Sequence, residues 1–240
     1  MNTSSFQPAD FAEAAAEYIA SVITAAAGRQ GFCSLVLSGG STPAPVYRQL
    51  AALKVPWSLV HLFWSDERHV SPSDPNNNYY MAEENLLSRI PVPPENINRI
   101  HTEFLSADDA AETYEQIIRN FAAEHPLRDD RSVLIPAFDL VLLGIGADGH
   151  TASLFPDSSA LRETERLVVA TGIPDMEPKV RRITMTIPLL NAARTVLFLV
   201  SDQSKLPIIQ AIENDPETAK DLYPAARIAG REQTLLYYSV

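Results

Sequence analysis

Apolar runs and amphipathic stretches take turns along this chain. Residues 9–27 (ADFAEAAAEYIASVITAAA) place small apolar side chains at helical spacing and predict an Ala-rich helix. FCSLVLS (32–38) is almost wholly apolar, the pattern of a short strand covered on both faces. Thr42 as N-cap and Pro43 as first helical residue predict a helix running to about Leu53. HLFWSD (61–66) predicts the next strand and 78–89 a helix. A further helix over 106–124 opens with Ser106 and Asp109 at capping-box spacing. FDLVLLGIG (138–146) is the clearest buried strand. RLVVAT (166–171), RRITMTI (181–187), TVLFLVS (195–201) and TLLYYSV (234–240) predict later ones, with a helix over 203–214. Strands separated by helices of this length build βαβ units and a mostly parallel sheet of the α/β class.

Such sheets bind ligands beyond the carboxyl ends of their strands. The loops after Ser38, Asp66, Gly146 and Ser201 are therefore the places to search. Composition narrows what they can hold. The chain has 240 residues and a net charge of −11, which makes nucleic acid and anionic membranes poor partners. A single cysteine, Cys33, precludes an internal disulfide and Cys-rich zinc sites, and suits a reducing cytoplasm. The N-terminus lacks the basic start and apolar core of a signal peptide, and no uncharged apolar run reaches the ~18 residues of a membrane span.

Five of the nine glycines, Gly39, Gly40, Gly144, Gly146 and Gly149, fall in two strand-end loops. In LSGGSTP (37–43), amides at Gly40, Ser41 and Thr42 stand where a helix N-terminus meets an anion. An ordinary βα turn with an N-cap fits the same residues. WSDERHV (64–70) sets Asp66, Glu67 and Arg68 in a row after an apolar run. Alternation forbids all three from facing one way. Arg68 suits a phosphate, a carboxylate or a polarised carbonyl, although a solvated loop with a local ion pair fits as well. In LLGIGADGHTASLFP (142–156), His150 opens a short apolar, helix-like stretch. At a helix N-terminus an imidazole is favoured neutral, and with Asp148 two residues away it makes a general base with an orienting carboxylate. The structural alternative is a capping His with Asp148 in an Asx-turn.

The remaining chemistry is sparser. Arg181, Arg182 and Lys205 are each compatible with a surface charge, and together with the LSGGSTP loop they compose a phosphate pocket. His61, His101 and His125 read as structural or solvated, and His69 less clearly so. Trp57 and Trp64 read as packing anchors. No histidine pair has metal-ligand spacing, so no metal is expected.

LSGGSTP, FWSDERHVSPSDPNNNYYMAEENLL, DLVLLGIGADGHTASLFP and RRITMTIPLLNAARTVLFLV, in this order, resemble the 6-phosphogluconolactonases. These share a wider fold group with glucosamine-6-phosphate deaminases. The resemblance runs from about residue 8 to the end. It implies a modified Rossmann-like, doubly wound α/β sheet flanked by helices, one catalytic domain over 1–240, and no cofactor. It implies hydrolysis of a phosphorylated sugar lactone, with His150 matching the base that activates water and Arg68 a residue near the substrate. Gly39, Gly40, Ser41 and Thr42 match the phosphate loop. Arg182 and Lys205 match basic positions that hold the phosphate, with Arg181 as the substitute if the register slips by one. Asp66 matches a carboxylate catalytic in the deaminases, and Asn78 an Asn opening the next helix. The deaminases carry a Glu where this chain has Phe155, which leaves that activity without its acid–base partner. Deaminase or isomerase chemistry, and a non-catalytic sugar-phosphate sensor, are the competing functions. A monomer or weak homodimer is expected.

Overall fold

A computed structural model describes residues 1–104, 106–125 and 135–240. Its elements follow in chain order. The first half has β1 (Asn2–Phe6), α1 (Pro8–Gln30), β2 (Cys33–Leu37), α2 (Pro43–Ala52), β3 (Val60–Trp64), β4 (Asp66–Arg68), α3 (Asn78–Asn85) and α4 (Ala107–Glu124). The second half has β5 (Leu140–Leu143), β6 (Val168–Ala170), β7 (Arg182–Met185), α5 (Ile187–Asn191), β8 (Thr195–Val200), α6 (Leu206–Asn214), α7 (Pro216–Leu222) and β9 (Gln233–Ser239). Six strands form one sheet in the order β1-β9-β8-β5-β2-β3, and every pairing in it is parallel. The expected doubly wound α/β architecture is what is found.

The strand order explains where a ligand can enter. From β2 the chain winds outward to β3, then returns to place β5 on the other side of β2 and continues to β8 and β9. The winding reverses between β2 and β5, and loops leaving such neighbours diverge to open a crevice. β2 and β5 are buried along their whole length, as their unbroken apolar runs require. The Ala-rich face of α1 (Ala15, Ala16, Ile19, Ile23) is buried in the same core, where small side chains let the helix approach closely.

Two predicted strands belong elsewhere. β6 and β7 form with β4 a separate three-stranded antiparallel sheet in the order β4-β7-β6. It hangs from the carboxyl end of β3, where the Ser65 amide donates to Leu37 O and the Met185 amide to Ser65 O. The helix expected to about residue 89 ends at Asn85, with a 3-10 turn over Leu87–Arg89. Ser106 caps α4 as expected, its Oγ accepting the Asp109 amide at 3.1 Å, but the Asp109 carboxylate accepts the Ser106 hydroxyl at 2.7 Å rather than the Ser106 amide, so the box is formed only in its N-cap half.

Candidate active site

A cleft of about 440 Å³ opens over the β2–β5 switch point. Its wall collects Gly39, Gly40, Ser41, Thr42, Asp66, Arg68, Asn78, Gly146, His150 and Lys205 from loops far apart in sequence. Ser65, Met176, Ser201 and Asp202 are among the lining residues to which sequence reasoning assigned no role. Ser201 and Asp202 follow a buried strand, so the strand-end rule points at them. Nothing local marks Met176, which reaches the cleft from the Pro-rich segment 172–180.

The first loop is braced from below. Tyr47, one turn into α2, donates its hydroxyl to Ser38 O at 2.8 Å and accepts the Ser38 amide at 3.0 Å. Tyr114 of α4 does the same for Trp64, so two buried phenols close the ends of β2 and β3. Gly39 lies against Asn78: a Cβ there would stand 1.9 Å from Asn78 Oδ1, so no larger residue fits. Thr42 occupies the N-cap position, but its hydroxyl does not cap α2. It meets Ser201 Oγ at 2.8 Å instead, tying the loop to the one after β8. Lys205 Nζ lies 3.3 Å from Asp202 Oδ2, and its side chain is mostly shielded. Backbone and side-chain hydrogen bonds from Ser204, reinforced by Lys205, hold the Asp202 carboxyl below the usual range.

The acidic–basic triplet splits by alternation. Asp66 and Arg68 line the cleft, whereas Glu67 turns away and is fully buried. It accepts the amides of Arg68, Asn78 and Tyr79 at 2.7–2.8 Å, two of them at the start of α3. Burial drives its carboxyl up to about 8, and the three amides oppose this by favouring the charged form. Asp66 accepts Ser153 Oγ at 2.6 Å on one oxygen, with Ser65 Oγ at 3.3 Å on the other. Arg68 donates through Nη1 to Asn76 O at 2.6 Å, and its Nε is buried without a partner.

Alternation separates the two later arginines as well. Arg182 is directly opposite Arg68 in the β4–β7 register and is only 2% exposed. It stands behind the cleft rather than on its wall, donates to Pro178 O at 3.1 Å, and keeps a buried, unpartnered Nε. Burial and the neighbouring Arg68 charge lower its guanidinium from its ordinary value, against Asp66 and Glu67. Arg181 faces the other way. Its guanidinium pairs with Asp108 at 2.6 Å and donates to Thr171 O, so the structure places it outside the cleft.

His150 stands on the cleft wall, but not at a helix N-terminus. Residues 151–154 form a tight turn closed by a Thr151–Leu154 bridge, with Ala152 in the left-handed region (φ 47°). The expected helix-dipole effect on the imidazole is thus absent. That backbone costs a non-glycine residue of order 1–2 kcal/mol. The turn is held by side-chain and backbone bonds together. Thr151 Oγ1 donates to Gly144 O at 2.8 Å, and the Gly146 amide donates to His150 O at 2.8 Å. The imidazole Nδ1 lies 2.5 Å from Asp148 Oδ1, which also accepts the His150 amide at 3.1 Å. A carboxylate can only accept, so Nδ1 carries the proton and Nε2 is the basic nitrogen. Burial alone would raise the Asp148 carboxyl, but its bonds to His150 hold it below the usual range. Phe155 packs on the imidazole at 4.6 Å between centroids, and a Cβ on Gly146 would fall 2.1 Å from the ring.

The histidines set aside are structural: His69 Nε2 meets Phe104 O at 3.0 Å, and His61 and His125 pack with Phe32 and Phe121 at the far end of β3. Trp57 and Trp64 are buried. Among the described residues, no three His, Cys, Asp or Glu side chains are grouped to hold a metal ion. No described helix is long and apolar enough to cross a membrane.

Comparison with known proteins agrees with this geometry. Residues 7–237 match the family model of glucosamine-6-phosphate isomerases/6-phosphogluconolactonase. The chain is 43% identical over 209 residues to a 6-phosphogluconolactonase of Synechocystis sp., covering 85% of this chain and 80% of that one. It is 42% identical over 184 residues to one of Nostoc sp., covering 77% and 72%. The crystal structure of 6-phosphogluconolactonase from Thermotoga maritima superposes with a TM-score of 0.85 at 31% identity, covering 100% of this chain and 99% of that one. A monomeric glucosamine-6-phosphate deaminase shares the fold at 19% identity and a TM-score of 0.81. Fold, motif order and similarity along nearly the whole length agree, and the chain belongs to the glucosamine-6-phosphate isomerase/6-phosphogluconolactonase family.

Proposed function

We propose that this protein hydrolyses 6-phospho-D-glucono-1,5-lactone to 6-phosphogluconate, the second step of the oxidative pentose phosphate pathway. The observation that carries the reading is His150, which Asp148 holds through Nδ1 and which lines the same cleft as the loop at the start of α2. The substrate phosphate docks on Gly40, Ser41 and Thr42, where the helix dipole and free amides favour an anion. Lys205 leaves Asp202 to neutralise it. Arg182 adds positive charge from behind the wall, and Arg181 takes no part.

Docking sets the lactone C1 near His150. Nε2 takes a proton from water as the water oxygen bonds to C1. Asp148 keeps the opposite proton on Nδ1 and stabilises the imidazolium that forms, and general-base help of this kind supplies roughly 10²–10⁴-fold. The carbonyl oxygen becomes an oxyanion. The amides of Gly146 and Gly149 are already bonded within the turn, whereas the Arg68 side chain lines the cleft, so Arg68 is the assigned donor. The intermediate collapses by breaking the bond from C1 to the ring oxygen, and His150 returns its proton to that oxygen. No metal or organic cofactor takes part. A monomer or weak homodimer working in the cytoplasm is the proposed form.

The test is a coupled assay on freshly made lactone, with excess 6-phosphogluconate dehydrogenase and NADP, corrected for spontaneous opening. A wild-type rate well above the blank, lost in His150→Ala, supports the reading. A rate equal to the blank, or turnover of glucosamine 6-phosphate instead, overturns it.

A further inference from the structure

One buried polar side chain near His150 has no part in that mechanism. Ser153 is 1% exposed and lies three residues beyond His150, between the apolar Ala152 and Leu154. Both of its donors are committed to the small antiparallel sheet. Its hydroxyl donates to Asp66 Oδ2 at 2.6 Å, and its amide donates to Thr184 Oγ1 at 3.2 Å. Asp66 and Thr184 are themselves directly opposite each other on β4 and β7. A single residue is thus clamped by one cross-strand pair. Between this clamp and His150 stand Thr151, fixed to Gly144 O at the end of β5, and the left-handed Ala152 on the cleft wall. An alanine does not hold that conformation unaided. The two anchors on its flanks hold it.

We infer that Ser153 is a positioning residue for the reaction, fastening the His150 turn to the second sheet and holding Asp66 on the cleft wall. It touches no reacting atom and acts through His150. The inference rests on the lactonase reading for its kinetic consequence and on geometry alone for its structural one. Small losses of alignment at a general base cost rate far more than they cost binding. The phosphate-binding groups lie on other loops and stay in place.

Three measurements on Ser153→Ala, with melting followed beside them, decide the matter. The kcat for lactone is expected to fall at least about tenfold, while KM and the inhibition constant of inorganic phosphate stay within about twofold. The imidazole ¹⁵N signals of His150 are expected to report an Nδ1-protonated ring in the wild type and to shift or broaden in the variant as the ring loses its fixed seat. Thr184→Val removes the amide acceptor, and with it a hydroxyl bond to Met185 O, but leaves the Ser153–Asp66 bond; it is expected to lower kcat by a smaller factor at unchanged KM, and it replaces Ser153→Ala if that variant does not fold. Unchanged kcat and unchanged ring signals would overturn the inference, as would a rise in KM and phosphate inhibition constant at constant kcat. Should the wild type itself fail to outrun the blank, the lactonase reading falls, while the ring signals still decide whether Ser153 holds His150.

Discussion

Two glycine-rich loops leave the adjacent strands β2 and β5 and share one cleft, yet they are held in opposite ways. The 39–42 loop runs straight into α2, so its free amides are arranged by a helix of ten residues. The 144–154 loop enters no helix, and its shape depends on bonds from Asp148, Thr151 and Ser153. Each loop has a glycine that makes room for a side chain. Gly39 admits Asn78, which also donates to Asp66 O, whereas Gly146 admits the imidazole of His150 itself. A helix start sets the anion site, whereas the side chains of Asp148, Thr151 and Ser153 seat the general base. Substitutions in the two loops are therefore expected to separate binding from turnover.

The largest effect belongs to the second loop. His150→Ala is expected to lower kcat by roughly 10²–10⁴-fold with KM within about threefold, read in the coupled assay. Gly146→Ala tests the same loop without replacing a reactive group. Its methyl would fall 2.1 Å from the His150 ring, so the ring must leave its seat and kcat is expected to drop about 10²-fold. If this variant raised KM instead, the division between the loops would be wrong. On the other side, Lys205→Ala is expected to raise KM about tenfold or more at nearly constant kcat, because phosphate loses its nearest mobile cation. Thr42→Val removes only the hydroxyl joined to Ser201, and a KM increase of about threefold is expected.

The contrast between the loops also marks what the sequence discloses. The apolar runs behind β2, β3, β5 and β8 are legible because a strand covered on both faces needs them. The edge strand β1 is not, since NTSSF is mostly exposed and carries no alternation. The second sheet was hidden for another reason. β4 is three charged residues, Asp66 to Arg68, and its pairing with β7 is visible only in three dimensions. Missing that sheet conceals the seat of Ser153 and the place of Arg182 opposite Arg68. The stretch after His150 looks helical because Ala152, Leu154 and Phe155 are apolar. Its backbone is set instead by long-range bonds to Gly144 and to the second sheet, which no local pattern records. Motif residues were legible, and the bonds that seat them were not.

The smallest expected effect comes from outside both loops and sharpens the comparison as a control. His61 sits at the opposite end of β3, its ring 4.7 Å from that of His125 and 4.9 Å from that of Phe121. Desolvation first, and the charge of His125 second, lower its pKa from 6.5 to about 4. Above pH 6.5 the ring is neutral in both folded and unfolded chains and contributes nothing to the difference. As pH falls from about 6.5 toward 4, the unfolded chain takes up a proton that the folded chain refuses, so stability is lost across that window. The ring is partly open to solvent, which reduces the loss to roughly 1 kcal/mol or less, or about 2–4 °C in Tm. His61→Gln is expected to flatten this part of the melting curve between pH 7.5 and 5 while leaving kcat and KM at neutral pH unchanged. An equal drop in wild type and variant would assign the acid sensitivity to other groups. A change in kcat would mean that packing at the far end of β3 reaches the His150 loop, and that the two ends of the sheet are not independent.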